Sequence, residues 1–176
     1  MKKIYLLFVC TPSIVSRAIK KYTNDSYTHV AISIDPDARN FYSFARRYTH
    51  SPLPAGFVME SLDSSFYKRN PKSQCKIVAI DVTEEQYAAI EEKLNFMYDN
   101  RYHYKYNLMG LLLYSQNINF QRKHHRFCSE FVSEILKENN IIYSHKHPEK
   151  IRPIELLNIE NSIDVYEGTV MNYALY

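Results

Sequence analysis

Residues 28–45, THVAISIDPDARNFYSFA, restrict the fold more than any other stretch of this 176-residue chain. The run THVAISID alternates as a strand does, with His29, Ala31 and Ser33 on one face and Val30, Ile32 and Ile34 on the other. Asp35-Pro36-Asp37-Ala38 is turn chemistry, and Asn40 to Ala45 returns as another strand. Strands joined so closely pair antiparallel, because a parallel neighbour needs a crossover of about a dozen residues or more.

Other segments extend that beginning. Ile4 to Val9 reads as a buried strand, and SIVSRAIKKYT as a helix capped by Ser13. Pro52, Pro54 and Gly56 break the chain before a strand at Gly56 to Ser61. Cys75 to Val82 has strong β character. Thr83 with Gln86 forms a capping box for a helix that runs to about Asn100, its stripe made of Tyr87, Ile90, Leu94 and Met97. After the tyrosine-rich RYHYKYN, the spacing predicts a short apolar helix around Leu108 to Tyr114 and a second helix from Phe127 to Lys137. The tail is expected to be irregular at Pro148 to Pro153, to turn helically at Ile154 to Ile159, and to end on a strand at Ile163 to Val170. The resulting fold class is α+β in a single domain spanning 1–176, a mainly antiparallel β-sheet packed against helices.

Composition excludes several functions. With three Gly in all and no GxGxxG or GxxxxGK[ST], folds built on phosphate-cradling glycine turns are out. A net charge of +3, from 22 Lys+Arg against 19 Asp+Glu, is too small to imply nucleic acid as a partner. The opening MKKIYLLFVC imitates a lipoprotein signal, but its apolar run falls short of the roughly 7–15 residues of an export segment, and Val9 stands where that signal wants a small residue. No stretch is apolar enough for stable membrane insertion. Cys10, Cys75 and Cys128, with no CxxC spacing, indicate free thiols and a cytoplasmic protein.

The chemistry concentrates in RKHHRFCSEFVSEIL. On a helix beginning near Cys128, residues 128, 131, 132, 135 and 136 share the apolar face, which places the sulfur at the helix N-terminus. Unpaired N–H groups and the positive helix end there favour thiolate over thiol, and the basic lead-in Arg122, Lys123 and Arg126 acts in the same direction. A core-filling thiol fits the same position, since free cysteine is among the most buried residue types. His29, on a strand face beside the small Ala31 and Ser33, is the residue that changes the balance. Small neighbours leave room for a helix end to approach, and a Cys-His pair is the general scheme for an activated thiolate. His124, His125 and Cys128 are a conceivable zinc set, but no second ligand cluster with structural-site spacing accompanies them.

In chain order, IYLLFVCTPSIVSRAIKKYT, YTHVAISID, YSFARR, PLPAGFVMES, YNLMGLL, RFCSEFVSEIL and IRPIEL resemble the circularly permuted branch of the papain-like, NlpC-type superfamily. That branch includes bacterial permuted amidase-like proteins and, more distantly, lecithin:retinol acyltransferase-like proteins. The histidine strand precedes the cysteine helix, the reverse of unpermuted papain-like enzymes. The resemblance implies a permuted papain-like fold with Cys128 as nucleophile at a helix N-terminus and His29 as general base. The imidazole-orienting residue falls near Ser43, ranked slightly ahead on position although serine is a weaker orienter than the usual Asn, Gln, His or acid, with Glu60 on the following strand nearly equal on chemistry. The backbone N–H of Cys128 is the expected oxyanion donor, and Tyr106 a side-chain candidate beside it. The implied activity is a cysteine hydrolase acting on a peptide, isopeptide or other amide, or on an acyl ester, with no cofactor. A lipid acyltransferase or thioesterase using the same pair, and an inactive papain-like binding module, are the alternatives.

Overall fold

The computed structural model describes residues 1–11, 14–49, 51–107 and 122–173. In chain order these form β1 (Lys2–Cys10), α1 (Ile14–Thr23), β2 (His29–Ser33), β3 (Asn40–Tyr48), β4 (Ser51–Ser61), α2 (Ser65–Arg69), β5 (Gln74–Val82), α3 (Glu84–Asp99), β6 (Lys105–Tyr106), β7 (His125–Arg126), α4 (Cys128–Glu138), β8 (Ser162–Thr169) and α5 (Val170–Tyr173). Short 3-10 turns occupy Arg101–His103, Pro148–Lys150 and Pro153–Leu156. The strands build one eight-stranded sheet in the order β7-β6-β4-β3-β2-β1-β5-β8. Every pairing is antiparallel except that of β6 with β7. The architecture is α+β, a sheet packed against helices. The expected helix at Leu108 to Tyr114 and the cap at Ser13 lie outside the described residues.

Two apolar layers flank the sheet, and strand alternation assigns residues to them. Ile4, Leu6 and Phe8 of β1, Val30 and Ile32 of β2, Phe44 and Phe57 enter the larger layer together with Ile90, Leu94 and Met97 of α3 and Phe131, Val132, Ile135 and Leu136 of α4. Leu7, Val9, Ala31 and Phe41 enter the smaller one, closed by Leu62, Tyr67 and Val170. Phe131 anchors α4: its ring centroid lies 5.5 Å from that of Phe44 and 5.2 Å from that of Phe57. Burying such a ring contributes about 2–3 kcal/mol, enough to fix the position of a helix whose first residue is Cys128. The Thr83–Gln86 capping box forms in both directions, so α3 starts where the sequence places it.

The ends of several strands depart from expectation. β1 extends to Lys2 and Cys10, and β3 runs on to Tyr48. β4 begins at Ser51 and so includes the prolines expected to precede it. The ladder skips there: Arg46 pairs with Ala55 and Tyr48 with Ser51, so residues 52–54 fall in the register shift, where proline removes no ladder bond. Gly56 is required by close approach. A Cβ at this position would run into the Tyr104 carbonyl oxygen and the Arg47 guanidinium, and Arg47 itself donates to the carbonyls of Arg101 and Tyr104 at 2.7 and 2.9 Å. Among the described residues no helix is long and apolar enough to cross a membrane.

Candidate functional site

Cys128 is the first residue of α4, and its N–H, like those of the next residues, has no acceptor within the helix. Glu130, buried within the same turn, accepts the Phe127 N–H at 3.0 Å, which ties down the chain entering the helix. The Cys128 side chain is 4% exposed and lies near enough to His29 for the imidazole to act on its ionisation. The backbone N–H groups of Val30 and Ser129 also favour the ionised sulfur. Burial pushes the thiol pKa up. The neighbouring His29 imidazole, then the two backbone N–H groups, outweigh burial and hold it below the ordinary thiol value.

The approach of helix to histidine differs from the expectation. His29 pairs with Val9 across β1 and so shares the face of the smaller layer, whereas α4 packs on the opposite face, against Val30 and Ile32. The thiol meets the imidazole because His29 is the first residue of β2, at the strand end. The small Ala31 and Ser33 serve the smaller layer and do not receive the helix. The basic lead-in is also engaged elsewhere: Arg126 Nε donates to Glu134 at 2.8 Å and lies 3.7 Å from Glu130.

On its other side the imidazole meets Glu60. His29 Nε2 lies 2.6 Å from Glu60 Oε1, and the Tyr67 hydroxyl donates to Glu60 Oε2 at 3.1 Å. With Nε2 committed to the carboxylate, Nδ1 is the ring nitrogen left for the thiol. Burial alone would lower the His29 pKa; the Glu60 charge, followed by the bonds to Cys128 and Glu60, holds it well above the usual value. Burial likewise works against the Glu60 carboxylate, and His29 first, then Tyr67 and Arg46, keep its pKa low. Tyr106 of β6 is partly buried beside this pair, and burial followed by the charge of Cys128 drives its pKa well above the phenol value, so the hydroxyl stays protonated.

Ser43, the positional candidate for the orienting role, is fully buried and donates its hydroxyl to the Val30 carbonyl at 2.9 Å. Its place in the geometry is to hold the strand carrying His29, while the carboxylate of Glu60 meets the ring. Replacing Ser43 by alanine is therefore expected to cost about 1–2 kcal/mol of stability in denaturant titration and to leave the alkylation rate of Cys128 where it was. A marked slowing of alkylation would return the orienting role to Ser43. Tyr67 had no signal in the sequence: α2 is a five-residue helix without periodicity, and only its packing against β4 brings the hydroxyl to Glu60.

A groove of about 660 Å³ opens on His29, Glu60 and Tyr106. Among the described residues no three His, Cys, Asp or Glu side chains form a group able to hold a metal ion. No family model and no curated protein matches the chain. Among solved structures it is similar to one described as the crystal structure of metalloprotein yiiX from Escherichia coli O157:H7, DUF1105, with 11% identity and a TM-score of 0.43 over 94% of this chain and 97% of that one. At that level of similarity the site rests on its own geometry.

Proposed function

We propose that this protein is a cysteine hydrolase of the circularly permuted papain-like type, cleaving an amide or ester through an acyl-enzyme on Cys128. The observation that carries the reading is His29 hydrogen-bonded to Glu60, which Tyr67 also engages, with the Cys128 thiol near enough for the imidazole to act on it. Glu60 fixes the ring and favours the imidazolium, so the thiol proton resides on His29 before substrate arrives. The thiolate attacks the carbonyl carbon, forming the C–S bond. The Cys128 N–H, which has no acceptor within its own helix, and the protonated Tyr106 hydroxyl are the candidate donors to the oxyanion. Imidazolium then gives its proton to the departing amine or alcohol as the carbon–heteroatom bond breaks. Neutral His29 takes a proton from water, which attacks the thioester and releases the acid.

Intact-mass measurement during turnover of p-nitrophenyl acetate tests this. A single acetyl adduct that maps to Cys128, releases with water, and is absent from Cys128→Ala is the expected result. Acetylation elsewhere with equal release of nitrophenol by Cys128→Ala would overturn it. The apolar wall of the groove, with Leu53, Phe57 and Met59, favours a second reading in which an acyl chain lies in the groove and passes to an acceptor other than water. An acyl adduct stable to water but discharged by an added alcohol or amine would select that reading.

A further inference from the structure

The groove that reaches His29 is lined by three guanidinium groups, Arg46, Arg47 and Arg101, and by one carboxylate, Glu60. That carboxylate is already engaged by His29 and Tyr67. Arg47 donates to the carbonyls of Arg101 and Tyr104, and Arg101 donates to the carbonyl of Tyr98, which fixes both against aromatic rings. Arg46 is different. Partly buried, it lies 4.2 Å over the Phe66 ring; the charge of Glu60 acts on it, but among the described residues its guanidinium makes no hydrogen bond and no contact ion pair. Every Asp and Glu of the chain belongs to the described residues, and the carboxylate whose charge reaches Arg46 is Glu60, already shared by His29 and Tyr67.

A partly buried guanidinium held over an aromatic ring beside a reactive centre, with no direct hydrogen-bond acceptor among the described residues, is suited to receive an anion. We propose that the substrate of this site is an acidic acyl compound, whose carboxylate is received by Arg46 in the groove while its scissile carbonyl reaches Cys128. A planar carboxylate matches the fork of one guanidinium. The neighbouring Arg47 and Arg101 add positive potential without competing for the bidentate position. This inference rests on the thiolate reading of Cys128 and names the substrate class of the same site.

Two alkylating agents that differ only in charge separate the ideas. Iodoacetamide is neutral, whereas iodoacetate carries a carboxylate; in each the thiolate sulfur displaces iodide as the new S–C bond forms. The ratio of iodoacetate to iodoacetamide rates at Cys128 is expected to fall about tenfold in Arg46→Gln, the effect of one charge-assisted hydrogen bond, and to be partly kept in Arg46→Lys. Glutarate is expected to protect Cys128 from iodoacetamide in the native chain and not in Arg46→Gln. If Cys128 reacts rapidly with both reagents and the ratio is the same in native and Arg46→Gln proteins, the acidic-substrate proposal is wrong while the thiolate stands. If Cys128 reacts with neither, the thiolate reading itself has failed. Protection by inorganic phosphate without protection by glutarate overturns the carboxylate assignment in favour of a phosphorylated substrate.

Discussion

At pH 6, iodoacetamide is expected to alkylate Cys128 of the native chain about a hundredfold faster than Cys128 of the His29→Ala variant. A free thiol with a pKa near 8.5 is only about 0.3% thiolate at that pH, whereas a thiol whose proton rests on His29 is mainly thiolate. The gain in thiolate population has a ceiling of about 300-fold, and the weaker nucleophilicity of a low-pKa thiolate removes part of it. Removing the imidazole takes away the largest influences opposing burial, so the Cys128 pKa moves upward and the rate at pH 6 falls. The other cysteines act as internal references. Cys10 is partly exposed, while Cys75 is sealed at 0% exposure with its pKa pushed up to about 12 by burial. Labelling of Cys75 thus reports unfolding, and a His29→Ala sample with unlabelled Cys75 is a fair comparison. Equal rates at Cys128 and Cys10 in the native protein would show that no thiolate–imidazolium pair exists.

The elements of this site were legible in the chain to different degrees. Cys128 is marked by its position relative to the Phe131-Val132-Ile135-Leu136 stripe, and that stripe is local information. The hairpin of β2 and β3 follows from alternation and a turn, also local, and Ile32 pairs with Tyr42 as an antiparallel return demands. How the thiol reaches the histidine is not local. It depends on which face α4 covers, decided by Phe131 meeting Phe44 and Phe57 from two other strands. The choice between Ser43 and Glu60 likewise turns on where β3 and β4 direct their side chains. The family resemblance offers both residues, and chemistry separates them only once Ser43 is seen bonded to Val30. Tyr67 and Arg46, whose guanidinium makes no contact ion pair among the described residues, emerge last, since such contacts are a property of the assembled groove and not of any sequence window.

His29→Ala is also expected to lower folding stability at pH 6.5 by about 2–3 kcal/mol, as breaking one side of a buried ion pair does. The magnitude is set at the lower end because His29 and Glu60 keep 18% and 16% exposure and Tyr67 still donates to the carboxylate. The pH dependence identifies the cause. In the native chain the Glu60 pKa is depressed, so its stabilisation is present above the unfolded value of about 4.3 and is lost as pH falls through the folded value. His29 has a raised pKa, so its contribution is complete below about 6.5 and fades as pH rises through the folded value. Without His29, burial dominates at Glu60 and its folded pKa moves above the unfolded one. The variant then regains stability as the carboxylate takes up a proton, and the gap between native and variant narrows from pH 6.5 toward pH 4. Urea titrations across that range measure the gap, and Glu60→Gln supplies the second arm of a double-mutant cycle. Once Glu60 is neutral, deleting His29 should cost much less, because no buried charge is left behind. A His29→Ala penalty that is constant with pH and unchanged in the Glu60→Gln background would mean that the imidazole only fills space, and the pairing of His29 with Glu60 would lose its role in setting the thiolate.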